Sequence, residues 1–199
     1  MLPEPIKKFV DLFSNLPSIG PRQATRLAFY LASLGKEQIS QLAQSLAGLQ
    51  QLKRCPSCFA TYQNPEAQCL ICLNSQRRRD VIMVVEKETD LVSLEKTKKF
   101  AGRYLVLGEL RKTGLLEPEQ KLRINSLKNL IKKEGGGQAE EIILAINPTT
   151  YGDLNAATLA QEFKDFAKKI TRLGRGIPTG GEIEFADEDT LSGALSNRS

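Results

Sequence analysis

Residues 80–86 read DVIMVVE, five consecutive apolar side chains held between two acids. Strict alternation would mark a strand with one wet face, whereas an unbroken apolar run rich in valine marks a strand covered on both. Two further segments share this character, RYLVLG (103–108) and EIILAIN (141–147). Helical spacing fills the stretches Leu91–Phe100, Pro118–Lys133 and Leu154–Lys168. Strand and helix in alternation predict a parallel sheet flanked by helices, so the fold class of this half is α/β. EGGGQ (134–138) ends a helix and forms a loop before the third strand; GRGIPTGGEIEF (174–185) is turn-rich and enters an edge strand; DEDTLSGALSN (187–197) opens with helix-starting acids and forms a short helix.

Upstream of the sheet the pattern is helical. Ile6, Phe9, Val10 and Phe13 share one face, and Ala24, Leu27, Ala28 and Leu31 repeat the pattern after a sharp break at NLPSIGP (15–21). Pro21 suits the first helical position, where its missing N–H costs nothing. A third helix is expected over Ser40–Leu52, with Leu42, Leu46 and Leu49 on one side. Two short helices joined by a tight hairpin leave the first N–H groups of the second unpaired, backed by the positive end of its dipole, which makes an anion site. Gly20 lets a phosphate approach the backbone, Ile19 tucks between the helices, and Arg22 and Arg26 lie one turn apart on the same face. An ordinary turn with solvated arginines is the competing reading of this stretch alone.

Between these halves stand Cys55, Cys58, Cys69 and Cys72, two Cys-x-x-Cys knuckles separated by ten residues. This spacing aims four sulfurs at one ion and points to a closed, structural zinc site, with an iron–sulfur cluster or a redox pair at CPSC as the rivals. The chain of 199 residues has ordinary globular composition and a formal charge of +5, which four thiolates around a divalent ion would lower by two. An anionic partner is thus plausible only if basic residues cluster. The start, MLPEPIKKFVDLF, lacks the apolar core of a secretory signal and no window reaches membrane-span length, so a soluble cytoplasmic protein is expected. In that reducing compartment, metal ligation is the expected use of the cysteines.

Glu86 ends the first strand and Asp90 follows where a helix begins, and the carboxyl end of a parallel sheet is where ligands meet an open α/β fold. A magnesium-dependent phosphoryl-transfer site needs further carboxylates there. After EIILAIN stand Pro148, Thr149 and Thr150, the nearest acid is Asp153, and the chain has no histidine. No phosphodiester chemistry is therefore expected. GRGIPTGG lacks the Lys-Ser/Thr of a nucleotide P-loop and reads as a structural loop. QRRRD (76–80) and the group Lys96, Lys98, Lys99 and Arg103 are open between a DNA-facing surface and solvated charge.

LPSIGPRQATRLAFYL (16–31) resembles the helix-hairpin-helix of the RecR family of bacterial recombination mediators, and the α/β half resembles the Toprim module that RecR shares with topoisomerases and primases. The four cysteines, NPT (147–149) and RLGRGIPTGGEIEFADEDTLSGAL (172–195) extend the resemblance along almost the whole chain. Departures are Ser18, where the family hairpin often has glycine; Glu109, where a second glycine is common; and YGDLNA (151–156), where an acid-bearing run is usual. The resemblance implies a helix-hairpin-helix region at 1–54, a four-cysteine zinc finger at 55–78, a Toprim-like domain at 79–172 and a subunit-contact segment at 173–199. It implies a non-enzymatic mediator that binds DNA as a homo-oligomeric clamp, a dimer or tetramer ring, and works with RecO and RecF to load RecA. On that resemblance Glu86 and Asp90 contact a partner; as plain residues they could equally cap a helix. A Toprim-type nuclease or primase using Glu86, Asp90 and Asp153 around magnesium is the alternative.

Overall fold

The computed structural model describes residues 2–134, 136–196 and 198. Met1, Gly135, Asn197 and Ser199 lie outside the described residues, so part of the EGGGQ stretch and the end of the last helical segment do too. The chain divides into two compact units, Met1–Leu52 and Lys53–Ser199.

The first unit holds α1 (Glu4–Phe13), α2 (Pro21–Ser33) and α3 (Lys36–Gly48), followed by a 3-10 turn at Leu49–Gln51. Prolines open α1 and α2, and Ser14–Gly20 form the connection between them. The expected apolar face of α1 is half-buried, with Phe9 and Phe13 stacked at 3.8 Å between ring centroids. Only Ala24 and Ala28, both on α2, are fully buried among the described residues of this unit. Helix α3 starts before the expected Ser40, because Gly35 supplies an extended N-cap. Its apolar side is bare: Leu42, Leu46 and Leu49 are exposed.

The second unit begins with an antiparallel pair, β1 (Lys53–Arg54) and β2 (Thr61–Tyr62), and a one-turn α4 (Leu70–Leu73). The α/β body follows as β3 (Val81–Val85), α5 (Glu88–Lys96), β4 (Arg103–Val106), α6 (Pro118–Glu134), β5 (Ala139–Ala145), α7 (Thr150–Phe163) and β6 (Ala167–Arg172). Four parallel strands stand in the order β4-β3-β5-β6. All five residues of β3 are buried, as its unbroken apolar run requires. One face of the sheet packs Ile82, Val84, Leu105, Ile142 and Leu144 against α6 and α7. The other packs Met83, Val85, Tyr104 and Val106 against Leu91 of α5 and against Cys55, Cys58 and Cys69. The cysteine knuckles are therefore a wall of the second core.

Two expectations change. The helix expected over Leu154–Lys168 ends at Phe163, and the fourth strand starts at Ala167. Leu159, Phe163 and Phe166 keep helical spacing past the true end, and AKKITR hides its strand character because Lys168 and Lys169 are exposed. Cross-strand pairs hold it: Lys168 Nζ to Glu140 Oε2 at 2.8 Å and Thr171 Oγ1 to Glu141 Oε1 at 2.7 Å. In turn, EIEF is a 3-10 turn at Ile183–Phe185 in place of an edge strand, with Ile183 and Phe185 exposed. Helix α8 (Glu188–Ser196) follows.

Candidate nucleic-acid interface and metal centre

The hairpin places its elements as an anion site requires. Ile19 N–H donates to Leu16 O at 3.2 Å and Gly20 N–H donates to Gln23 Oε1 at 3.3 Å, which closes the turn and sets the start of α2. The first intrahelical bond is Ala24 N to Gly20 O, so the N–H groups of Arg22 and Gln23 point out of the helix start. A Cβ at Gly20 would meet nothing within 4 Å, and its φ of −85° suits any residue. Internal packing does not demand glycine here; its effect is to leave the space in front of the helix clear. Ile19 is half-buried, while Arg22 and Arg26 are exposed and their guanidinium groups make no ion pair or hydrogen bond among the described residues.

Ser18 has φ of 63°, the left-handed region that costs an L-residue roughly 1–2 kcal/mol. Glycine at this turn is thus a backbone requirement that this chain meets under strain. Ser18→Gly is expected to stabilise the first unit by roughly 0.5 kcal/mol, the relieved strain less the larger entropy a glycine loses on folding. Amide exchange of α1 and α2 would slow by about twofold on that account.

In the second unit the four cysteine sulfurs lie within 4.8 Å of one another, with Cys58 and Cys69 at 3.5 Å. A tetrahedral ion with metal–sulfur bonds of about 2.3 Å needs separations of roughly 3.8 Å, so these residues can hold a metal ion. The first knuckle is the turn between β1 and β2: Phe59 N–H donates to Cys55 O and Cys55 N–H to Ala60 O, both at 2.9 Å. Phe59 takes φ of 62° to close it. In the second, Cys69 caps α4 and its own N–H points at Cys55 Sγ, 3.5 Å away. Hydrogen bonding from Cys58 holds the Cys55 thiol well below the usual thiol range.

The crevice at the carboxyl end of the sheet lies where the strand order reverses, between β3 and β5. Glu86 leaves β3 there. Its Oε1 accepts from Leu110 N–H at 3.1 Å, and Asn147 Nδ2 approaches its Oε2 at 3.5 Å. Asp90 caps α5 by accepting from Lys87 N–H at 2.9 Å. Asp153 faces two guanidinium groups, Arg175 at 2.6 Å and Arg172 at 2.7 Å, and these, Arg175 first, hold its carboxyl below the ordinary carboxylate range. The three acids of the nuclease alternative thus have protein partners. An amide donor, Asn147, faces Glu86 where an ion-binding site would need a further carboxylate.

The arginines of QRRRD also have partners: Arg77 pairs with Glu95, Arg78 with Asp80 at 2.8 Å, and Arg79 with Glu134 at 3.9 Å. Arg77 is the most withdrawn of them, lying over the Tyr104 ring at 6.0 Å. Sequence reasoning missed the roles of Phe59, Gly152 and two buried polar residues of α6, Gln120 and Arg123. A Cβ at Gly152 would lie 1.9 Å from Asn147 O, so the second position of YGDLNA needs a glycine where α7 begins beside the end of β5. A lone glycine in a helical pattern was the available signal. No helix of the described residues is long and apolar enough to cross a membrane.

Three family models match this chain: "RecR, helix-hairpin-helix" over residues 6–49, "Toprim domain" over 80–174 and "RecR, C-terminal" over 176–199. Curated relatives named Recombination protein RecR align over nearly the full length. That of Herpetosiphon aurantiacus is 41% identical over 199 residues, covering 98% of this chain and 94% of the relative. The one from Staphylococcus saprophyticus is 39% identical, covering 98% and 97%. That of Gloeobacter violaceus is 37% identical, covering 100% and 98%.

Proposed function

The chain belongs to the RecR family of recombination proteins, and from that premise we propose that it is a non-enzymatic mediator of recombinational repair that grips the DNA backbone through its hairpin. The observation that carries this reading is the start of α2, where an open backbone at Gly20 stands beside two guanidinium groups, Arg22 and Arg26, that have no partner among the described residues. Amides and guanidiniums read phosphate and carry no sequence information, so binding is sequence-independent. Ile19 fixes the turn. Cys55, Cys58, Cys69 and Cys72 hold one structural zinc. Glu86 and Asp90 face a protein partner, RecO or RecF, in the cytoplasm, and the assembly loads RecA.

Oligomerisation follows from the first unit's own economy. Three helices that fully bury two alanines cannot offset the entropy of ordering them. The exposed leucines of α3, with Phe29 and Tyr30 of α2, supply an apolar surface of the kind a second copy covers. Repetition also raises the effective concentration of each hairpin at the phosphates, so a dimer or tetramer ring acts as a clamp. The segment from Gly176 onward, with Ile183 and Phe185 exposed, is a second subunit contact. The regions read at 1–54, 55–78, 79–172 and 173–199 serve in this scheme as grip, brace, partner face and contact arm.

Mass measurement in solution, with and without duplex DNA across a salt series containing magnesium, tests this reading. The expected result is a multiple of the 22.0 kDa chain that binds DNA with steep salt dependence and leaves it intact. A monomer indifferent to DNA at low salt, or time-dependent cleavage or strand synthesis, would overturn it.

A further inference from the structure

Arg123 lies on the buried side of α6 among Ile124, Leu127 and Ile131, 4% exposed. A guanidinium is kept in such a place only when its donors are used. Its Nη1 donates to Val106 O at 3.0 Å, its Nη2 pairs with Glu119, and its plane lies 5.4 Å from the centroid of the Phe59 ring. We propose that Arg123 is a positioning residue that transmits the state of the metal-bound cysteine knuckle to the crevice at Glu86. Occupancy of the four-cysteine site then regulates the surface read above as the partner face.

The path is continuous. Val106 ends the edge strand β4, and its outward N–H donates to Cys58 O at 2.9 Å while its outward C=O takes Arg123. The knuckle therefore meets Val106 twice, directly through Cys58 and indirectly through Phe59 and Arg123. Beyond Val106, Leu107 N–H and Gly108 N–H donate to Val85 O and Glu86 O, each at 2.9 Å, and Leu110 N–H reaches Glu86 Oε1. Gln120, one turn before Arg123, pins the far side of this loop through Glu109 O at 2.6 Å and Glu117 N–H at 2.8 Å. The upper end is the part with two states. Phe59 occupies the left-handed region directly after Cys58, in the turn that brings the Cys55 and Cys58 sulfurs together, so an ion held by both favours that strained turn. Without an ion the turn relaxes to an ordinary φ, which carries the ring off Arg123 and Cys58 O off Val106.

The biological consequence rests on reading Glu86 as a partner contact; the coupling itself is measured with no partner present. Amide exchange is followed on the full chain with one equivalent of Zn²⁺ and after chelation. In the unaltered protein, chelation is expected to speed exchange at Val106 and Leu110 by roughly 10-fold or more, while Ile142 and Ile170, across the sheet, report the global loss of stability that zinc removal brings with or without Arg123. In Arg123→Gln, Leu110 exchanges fast with zinc bound, and chelation adds less than about twofold. Arg123→Lys, which restores a cation over Phe59, recovers part of the protection. Phe59→Leu uncouples Leu110 from the other end while retaining zinc, and decides the matter should Arg123→Gln fail to fold. Two results would each overturn the proposal: a Leu110 amide indifferent to zinc, or a variant whose Leu110 responds to chelation as that of the unaltered chain does. Neither of them bears on DNA binding by the hairpin, which is measured separately.

Discussion

Reversal of both charges at the start of α2, Arg22→Glu with Arg26→Glu, lowers DNA affinity on the order of 30-fold for each hairpin engaged at about 0.15 M salt. That figure follows from a salt slope of roughly −0.9 per neutralised phosphate, with two phosphates left without their cations. Reversal costs more than removal, since the acids repel the polyanion. The plot of log affinity against log salt becomes shallower by about two for each hairpin, equally for every base sequence. Folding does not suffer. Neither arginine has a partner among the described residues, and a glutamate at position 22 sits in the first turn of α2, where the helix dipole favours an acid by roughly 0.3–1 kcal/mol. Lost binding with intact or improved stability separates a contact residue from a structural one. Fluorescence anisotropy on labelled duplexes, paired with thermal unfolding, makes the measurement; undiminished affinity would remove the hairpin from the interface.

The parts of this molecule that were legible from sequence share a physical cause: local pattern and tertiary role coincide. The apolar run of β3 is buried on both faces, so composition and burial say the same thing. Pro21 and Gly20 open α2 by backbone chemistry that operates within a few residues, and the cysteine spacing brings four sulfurs together through two tight turns. What escaped is set by contacts distant in sequence. The strand at Ala167–Arg172 carries exposed lysines because it is an edge, and its pairing partners lie near Glu140. Arg77–Arg79 stay open between a DNA-facing surface and solvated charge until Glu95, Asp80 and Glu134 are seen to meet them. Gln120 and Arg123 look like two more polar residues of a solvated helix, yet both point into the body of the fold. The resemblance sets the knuckles apart as a finger at 55–78, and nothing in their own residues reveals the strand β4 that they cover.

That last difference determines how the protein responds when the zinc proposed for its cysteines is taken away. An autonomous finger would unfold alone, leaving the sheet untouched. Here Cys55, Cys58 and Cys69 share a core with Met83, Val85, Tyr104 and Val106, and Cys58 O closes the edge of β4. Chelation of zinc is therefore expected to lower the melting temperature of the second unit by at least about 10 °C, a loss of several kcal/mol at roughly 2–4 °C for each in a domain of this size. The uncovered face of β3 and β4 binds an apolar dye, and the bare edge strand promotes association of the apoprotein. Cys58→Ser has the same effect and drops the zinc content from about one per chain toward none, because a hydroxyl does not replace a thiolate in a closed tetrahedral site. Acid acts in the same direction. Each ligating thiolate must be deprotonated, so the stabilisation is present at neutral pH and is lost as falling pH protonates the sulfurs and frees the ion. Calorimetry of zinc-loaded and chelated protein, with metal release followed by a chromogenic chelator, distinguishes the two arrangements. A second unit that melts unchanged without zinc would return the knuckles to the status of a separate finger and sever the link between the cysteines and the sheet.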